Sequence, residues 1–158
     1  MNERAKSLKF IPFEPTYRKV FFELNKAWLE DHFLIEPYDL EVLSNPEKMV
    51  LEPGGDVYFG LLAGKAIATF ALTPRGESMI ELNKMAVHNR HRGLGFGHQM
   101  MEFIIGLCRQ REVQTIELYS HSSLQSALHL YKKFGFKTIP MPTDCIYDRA
   151  DTRMQMIL

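Results

Sequence analysis

Charge imbalance is what this chain most plainly lacks: 19 Lys and Arg oppose 19 Asp and Glu, for a formal net charge of zero. There is neither a basic run nor an acidic tail, and without a field of one sign the chain has no footing on nucleic acid or on an anionic membrane surface. Long apolar runs are missing too, because the longest are broken by Gly64-Lys65 and Pro74-Arg75. Residues 1–6 lead into no apolar h-region, so the chain is expected to be soluble and cytoplasmic, with no signal peptide or membrane span. Cysteine is scarce: Cys108 and Cys145 form no Cys-x-x-Cys and carry no metal-ligand spacing, which argues against a metal site and for a reducing compartment. Repeats, low-complexity tracts and linkers are absent as well.

What is there is ordinary globular material. At 158 residues, with 46% apolar and 24% charged residues, the chain is read as one domain, 1–158, able to bury a proper core. Strand 8–13 is limited by Pro12 to an edge or to its own end. Thr16 caps a helix over 17–31, whose apolar face is formed by Val20, Phe21, Leu24, Ala27 and Trp28. Pro37 interrupts the connector that follows, and Asp39 reads as the N-cap of a short helix over 40–45. Strands 57–62, 65–73 and 79–87 are joined by the tight Ala63-Gly64 turn and by Pro74-Arg75-Gly76-Glu77, an antiparallel meander. A helix over 95–111 then leads to strand 115–119, parallel to the strand before it. Met101, Ile104, Ile105 and Cys108 face inward on that helix, and a buried thiol is the reading for Cys108. Ser122 or Ser123 caps a helix that ends at Phe134 and is stopped by Gly135; strand 136–139 follows, and 153–158 closes the sheet.

The informative stretch lies between the last meander strand and the long helix: His88-Asn89-Arg90-His91-Arg92-Gly93-Leu94-Gly95-Phe96-Gly97-His98. A glycine-rich turn opening onto a helix exposes consecutive backbone N–H groups at the positive end of the helix dipole. Arg90 and Arg92 add fixed positive charge, so the expected guest is a phosphate or pyrophosphate. A P-loop is excluded, since no Lys followed by Ser or Thr comes after the second glycine. A dinucleotide fingerprint lacks its third glycine, His98 standing there, although Glu117 lies at a suitable distance downstream for a ribose contact. The meander also speaks against a dinucleotide domain, which needs helical crossovers at that point.

Arg90-His91-Arg92-Gly93-Leu94-Gly95 has the form Arg/Gln-x-x-Gly-x-Gly/Ala and resembles the coenzyme A pyrophosphate loop of the GNAT superfamily of N-acetyltransferases. Downstream, Ala127-Leu128-His129-Leu130-Tyr131-Lys132-Lys133-Phe134-Gly135-Phe136 resembles that family's second signature, a helix carrying Ala-x-x-x-Tyr and ending in Gly-Phe. The resemblance covers nearly the whole chain. It implies an α/β (mixed α+β) sheet of the GNAT-type acyl-CoA N-acyltransferase fold, a largely antiparallel N-terminal meander followed by a strand-helix-strand coenzyme A-binding unit. It also implies acetyl-CoA as co-substrate, no metal, and transfer of acetyl to a primary amine of a small molecule or peptide. The cofactor-binding set would be Met85, Ala86 and Val87, whose backbone pairs with the pantetheine arm, and Arg90, Arg92, Gly93, Leu94, Gly95, Phe96 and Gly97 around the pyrophosphate. Where the family often carries an asparagine near the Tyr-bearing helix, this chain has Ser122, Ser123, Leu124 and Ser126, with Ser126 the candidate replacement.

Two side chains are candidates for chemistry. Tyr131 matches the family tyrosine that protonates the coenzyme A thiolate, against a reading as a half-buried aromatic beside Ala127, Leu128 and Leu130. Glu81 stands where some members carry a glutamate base; it is the strand's one carboxylate, and alternation puts it on one face with Asn83, Met85 and Val87. A solvated strand-end charge is its competing reading. By the same resemblance Glu36, Tyr38 and Asp39 are candidates to meet the amine, while His88, His91 and His98 border the loop and His121 and His129 match no catalytic place. Two other readings stand beside the enzyme: a catalytically silent acyl-CoA-binding or sensing module on the same fold, and a nucleotide-binding interaction domain. The acceptor and the oligomeric state, a homodimer included, are left open by the sequence.

Overall fold

In the computed structural model, residues 7–158 are described, and the N-terminal residues 1–6, read above as leading into no h-region, lie outside them. Strand β1 (Lys9–Pro12) is followed by helices α1 (Arg18–His32) and α2 (Pro37–Ser44), then by β2 (Asp56–Leu62), β3 (Lys65–Pro74) and β4 (Met79–Val87). Helix α3 (Phe96–Gln110), β5 (Thr115–Ser120), α4 (Gln125–Phe134), β6 (Lys137–Ile139) and β7 (Thr152–Ile157) complete the chain. The seven strands form one sheet in the order β1-β2-β3-β4-β5-β7-β6. Neighbours pair antiparallel except β4 and β5, which are parallel. The meander is therefore present as expected. The last strand inserts between β5 and β6, leaving β6 at the edge.

Two apolar clusters sandwich the sheet. Phe70, Leu72, Leu82, Ile116 and Met154 belong to one with Met100, Met101, Ile104, Ile105 and Cys108 of α3. Phe59 and Ala71 meet Phe21 and Leu29 of α1 and Val42 and Leu43 of α2 in the other. Burial pushes the Cys108 thiol up to about 11, so it stays protonated and inert. On α1 the buried face is Phe21, Leu24, Asn25 and Leu29; Ala27 is exposed and a polar residue takes part instead.

Local chemistry differs from expectation at three helix starts, the first being α1, which has Tyr17 rather than Thr16 at its N-cap and no side-chain cap. Pro37 opens α2 rather than stopping regular structure, with Glu36 as N-cap. Asp39 is the N3 partner of a capping box, its carboxylate accepting the Glu36 N–H at 3.0 Å. Helix α4 has Leu124 at its N-cap and no side-chain cap, because Ser122 is occupied elsewhere, donating its N–H (2.8 Å) and hydroxyl (2.6 Å) to Asp151. Gly135 ends α4 in the left-handed region, with the Phe136 N–H returning to the Tyr131 carbonyl at 3.0 Å.

The site depends on one irregularity. Ala71 faces Asn83 and Thr69 faces Ala86, so two steps along β3 match three along β4. The extra residue makes a β-bulge in which Lys84 has φ +52°. Such a bulge increases strand twist and reverses the alternation that follows. Consequently β4 stays with β5 only over Met79, Ile80 and Glu81, facing Thr115, Ile116 and Glu117, and the two strands then part.

Candidate active site

Beyond Glu81, the edge of β4 that would face β5 has no strand partner. A groove of about 720 Å³ opens there, floored by Met85, Ala86 and Val87 and walled by the glycine turn and by Ser126, Leu130 and Tyr131 of α4. In the turn, the Arg90 N–H goes to His88 Nδ1 (3.2 Å) and the His91 N–H to the His88 carbonyl (2.8 Å). Burial first, then electrostatic repulsion from His91, Lys65, Arg90 and Arg92, lowers His88, which keeps Nδ1 free to accept. Among the described residues, the N–H groups of Arg92, Gly93, Gly95, Phe96 and Gly97 make no well-formed hydrogen bond inside the protein. Gly95 sits at φ +86° at the N-cap of α3, and a Cβ there would meet nothing within 4 Å. The main chain is thus open to a ligand on the groove side. Gly97 has a different reason to be glycine: a Cβ would lie 3.2 Å from Leu130 Cδ2, where α4 crosses the start of α3.

The expected fixed charges are placed otherwise. Arg92 turns back, donating from Nε to the Val87 carbonyl (3.0 Å) and from Nη1 to Asp31 of α1 (2.9 Å), while its Nη2 is buried without an acceptor. It works as a strut between the end of β4 and α1. Arg90 is exposed, and Leu94 is 54% exposed at the tip of the turn; neither lines the groove. Ser126 lies on the groove wall at the start of α4, and its side chain is exposed. Glu117 is withdrawn from any ribose contact: it is buried on β5 and accepts from Arg153 Nε (2.6 Å) and Gln155 Nε2 (2.9 Å).

Where β4 and β5 part, a smaller pocket of about 100 Å³ adjoins the groove. Trp28, Met85, Leu124, Ala127 and Tyr131 line both spaces, so Tyr131 stands at the junction. Its hydroxyl has no hydrogen-bond partner among the described residues, its ring rests 5.9 Å from that of Phe136, and burial pushes its phenol up to about 12.

Glu81 lines this pocket, but not as a solvated end charge: it is 2% exposed. Arg75 donates to its Oε1 from Nε (3.0 Å) and holds Nη2 2.9 Å away in an ion pair, while Asn83 Nδ2 (3.2 Å) and the Tyr147 hydroxyl (3.3 Å) donate to Oε2. The bulge also corrects its expected neighbours. Met85 and Val87 pack with the α3 cluster, whereas Glu81 turns to the opposite face with Tyr147.

The same face holds a buried charge network. Lys84, carried inward by the bulge, places Nζ 3.2 Å from Asp39 Oδ1 and 4.9 Å from the ring centre of Tyr147. Arg149 grips Asp39 with both Nη atoms (2.6 and 3.0 Å) and reaches Glu36 at 2.8 Å. Glu36 also accepts the Asp148 N–H at 2.9 Å, fixing the segment between β6 and β7 over the pocket. Glu36 and Asp39 are therefore engaged internally rather than free to meet an amine. Burial alone would raise Asp39, but the Arg149 hydrogen bonds and the charges of Lys84 and Arg149 outweigh it and hold the carboxyl below its usual range. Burial pulls the Lys84 ammonium down and Asp39 only partly restores it. With two cations on one carboxylate, the charged pair is the state the contacts favour. Tyr147 is raised, by burial first and by the Glu81 charge second, and remains a neutral phenol.

A sheet split by a bulge beside an open main-chain turn is the architecture of the acyl-CoA N-acyltransferase fold. The chain belongs to the GNAT acetyltransferase family, whose model matches residues 17–136. It is 27% identical over 105 residues to the uncharacterized N-acetyltransferase YvbK of Bacillus subtilis, a match covering 65% of this chain and 68% of that protein. A GNAT-family acetyltransferase from Staphylococcus aureus superimposes with a TM-score of 0.84 at 21% identity, over 96% of this chain and 99% of the other. A Bacillus subtilis acetyltransferase solved in complex with CoA gives 0.73 at 20% identity, over 96% and 99%. At those identities the solved structures speak for the fold. Among the described residues no helix is long and apolar enough to cross a membrane.

Proposed function

We propose that the chain is an acetyl-CoA-dependent N-acetyltransferase that delivers acetyl to a primary amine by direct attack. The reading rests on one observation: the N–H groups of Arg92, Gly93, Gly95, Phe96 and Gly97, without well-formed internal hydrogen bonds, and an unpartnered β4 edge border a groove that runs into an adjoining pocket. A neighbour of the same fold was solved with CoA, which supports the choice of carrier. The residues fit that group. Each charge-assisted hydrogen bond from a main-chain N–H to a phosphate is worth about 1.5–3 kcal/mol, so several hold a diphosphate without a metal. Met85, Ala86 and Val87 would pair with the amide-bearing arm, and Ser126 would meet it from α4. Bound acetyl-CoA supplies the activated acyl group as a thioester.

The residues must then handle two protons. A primary amine with a pKa of about 10.4 is cationic at pH 7, and freeing its lone pair costs roughly 4–5 kcal/mol. We assign that proton to Glu81, reached directly in the pocket wall or through the Tyr147 hydroxyl that donates to it. At the junction, the Tyr131 phenol near 12 is a poor source of a free proton for a thiolate whose ordinary value is about 8.5. Its role is to donate a hydrogen bond to the departing sulfur, while the proton lost by the amine balances the one the thiol gains.

One observation favours the silent acyl-CoA-binding module instead: three hydrogen-bond donors and the Arg75 ion pair already occupy both Glu81 oxygens. The two readings part in a thiol-release assay with acetyl-CoA and a broad amine panel, run beside calorimetric titration of acetyl-CoA. Amine-dependent thiol release is expected; saturable acetyl-CoA binding with no release from any amine would leave the silent module.

A further inference from the structure

We propose that the smaller pocket is built for a compact amine with an aromatic body and a single charge, not for a polyamine or an amino acid; this rests on the transferase reading above. Three observations converge. The first is size and lining. About 100 Å³ lie beside the rings of Trp28, Phe33, Tyr119 and Tyr147. A cavity of about 150 Å³ accepts one benzene ring, so on size a single ring occupies this smaller pocket only by reaching into the groove, its polar end toward Glu81 and Asn83.

The second is charge. Around the pocket, Arg75, Lys84 and Arg149 are matched by Glu36, Asp39 and Glu81, three cations against three carboxylates, all within hydrogen-bonded pairs. No carboxylate of this network is spare for a second ammonium, and no cation is unpaired for a substrate carboxylate. Arg149 is further covered, its guanidinium carbon lying 5.9 Å from the Phe33 ring and 5.2 Å from that of Tyr147. A second charge on the acceptor would enter uncompensated.

The third is Asn25, 3% exposed on the buried face of α1 and lining the pocket. Its Nδ2 donates to the Phe21 carbonyl at 3.1 Å, and no donor among the described residues reaches Oδ1. A neutral acceptor takes an amine N–H without favouring the ammonium as strongly as a carboxylate would, so it orients the lone pair while leaving deprotonation accessible.

Trp28, the sole tryptophan, lines both spaces and reports occupancy independently of turnover. The full chain is titrated with phenethylamine, cadaverine and phenylalanine in the presence of CoA, following Trp28 fluorescence, and the same amines are compared by kcat/KM in thiol release. Phenethylamine is expected to lead both others by about tenfold or more, the scale on which an apolar pocket discriminates. Phe33→Ala should erase that lead while acetyl-CoA affinity stays put, and Asn25→Leu should raise the KM for phenethylamine; Phe33, half-buried just beyond α1, keeps the test intact if Asn25→Leu misfolds. Turnover led by cadaverine or phenylalanine overturns the pocket assignment and leaves the transferase standing. Saturable phenethylamine binding without thiol release does the opposite. The absence of both binding and turnover of phenethylamine, with acetyl-CoA still bound, overturns the assignment.

Discussion

The groove and the pocket share a wall, yet they are built from different materials. The groove presents main chain: the free edge of β4 and the N–H groups of a turn in which Gly95 must be left-handed. The pocket presents side chains brought from α1, β4, β5 and the segment before β7, and behind it six charged groups neutralise one another. Main-chain recognition tolerates most substitutions, because any residue supplies an N–H, and fails at the few positions where a Cβ cannot go. A buried charge network behaves in the opposite way. Losing any member strands another charge away from water, so the damage spreads into stability.

The sharpest way to break that contrast is at Gly95. Gly95→Val puts a β-branched residue at φ +86° and fills the open side of the turn. Loss of two phosphate contacts would cost about 3–6 kcal/mol, or roughly 10²–10⁴ in acetyl-CoA affinity by calorimetry, with only a modest change in melting temperature. The counterpart in the pocket is Asp39→Ala, which leaves Lys84 and part of Arg149 unpaired. It should remove about 3–5 kcal/mol of stability in denaturant unfolding. Equal loss of stability in the two variants would erase the distinction. The pH dependence follows in sign. Asp39 is held below its ordinary value in the folded state, so its contribution is present above about pH 4, the unfolded value, and is lost as pH falls through the lower folded one. Asp39→Asn should flatten the fall of melting temperature below that pH.

A smaller effect belongs to the junction. Tyr131→Phe removes a hydroxyl that has no internal partner, so stability and acetyl-CoA affinity should hardly move. Turnover should drop by about 10–100-fold, the worth of one hydrogen bond made as sulfur departs. An affinity loss of that size would instead make Tyr131 part of the groove.

The same contrast explains how far the sequence could be read. Elements of the groove are local, so glycines at fixed offsets between a strand and an amphipathic helix were legible, as were Ala127 to Tyr131 on α4. The pocket needed registration across the sheet. One clue was present: in an unbroken strand Ile80, Leu82, Lys84 and Ala86 would share one face, and a lysine amid three apolar residues marks a strand that must bulge to keep it off the core. Another was Asn25, a lone amide on the buried stripe of α1. Tyr147 and Arg149 sit in a segment without periodicity, and only the folded chain brings them over Glu81 and Asp39.

Arg92 is where the contrast gives the mildest and most discriminating prediction. The loop motif reads its side chain as a phosphate ligand, but here it joins the Val87 carbonyl to Asp31, which is half exposed. A strut of this kind is worth about 0.2–1 kcal/mol for the ion pair and roughly 1 kcal/mol for the hydrogen bond. Arg92→Ala should lower the melting temperature by a few degrees and change acetyl-CoA affinity only slightly, with its salt dependence intact, since its own N–H remains in the turn. Were the affinity to fall by the hundredfold or so that loss of a charged phosphate contact brings, Arg92 would leave Asp31 on binding and the groove would no longer be a purely main-chain site.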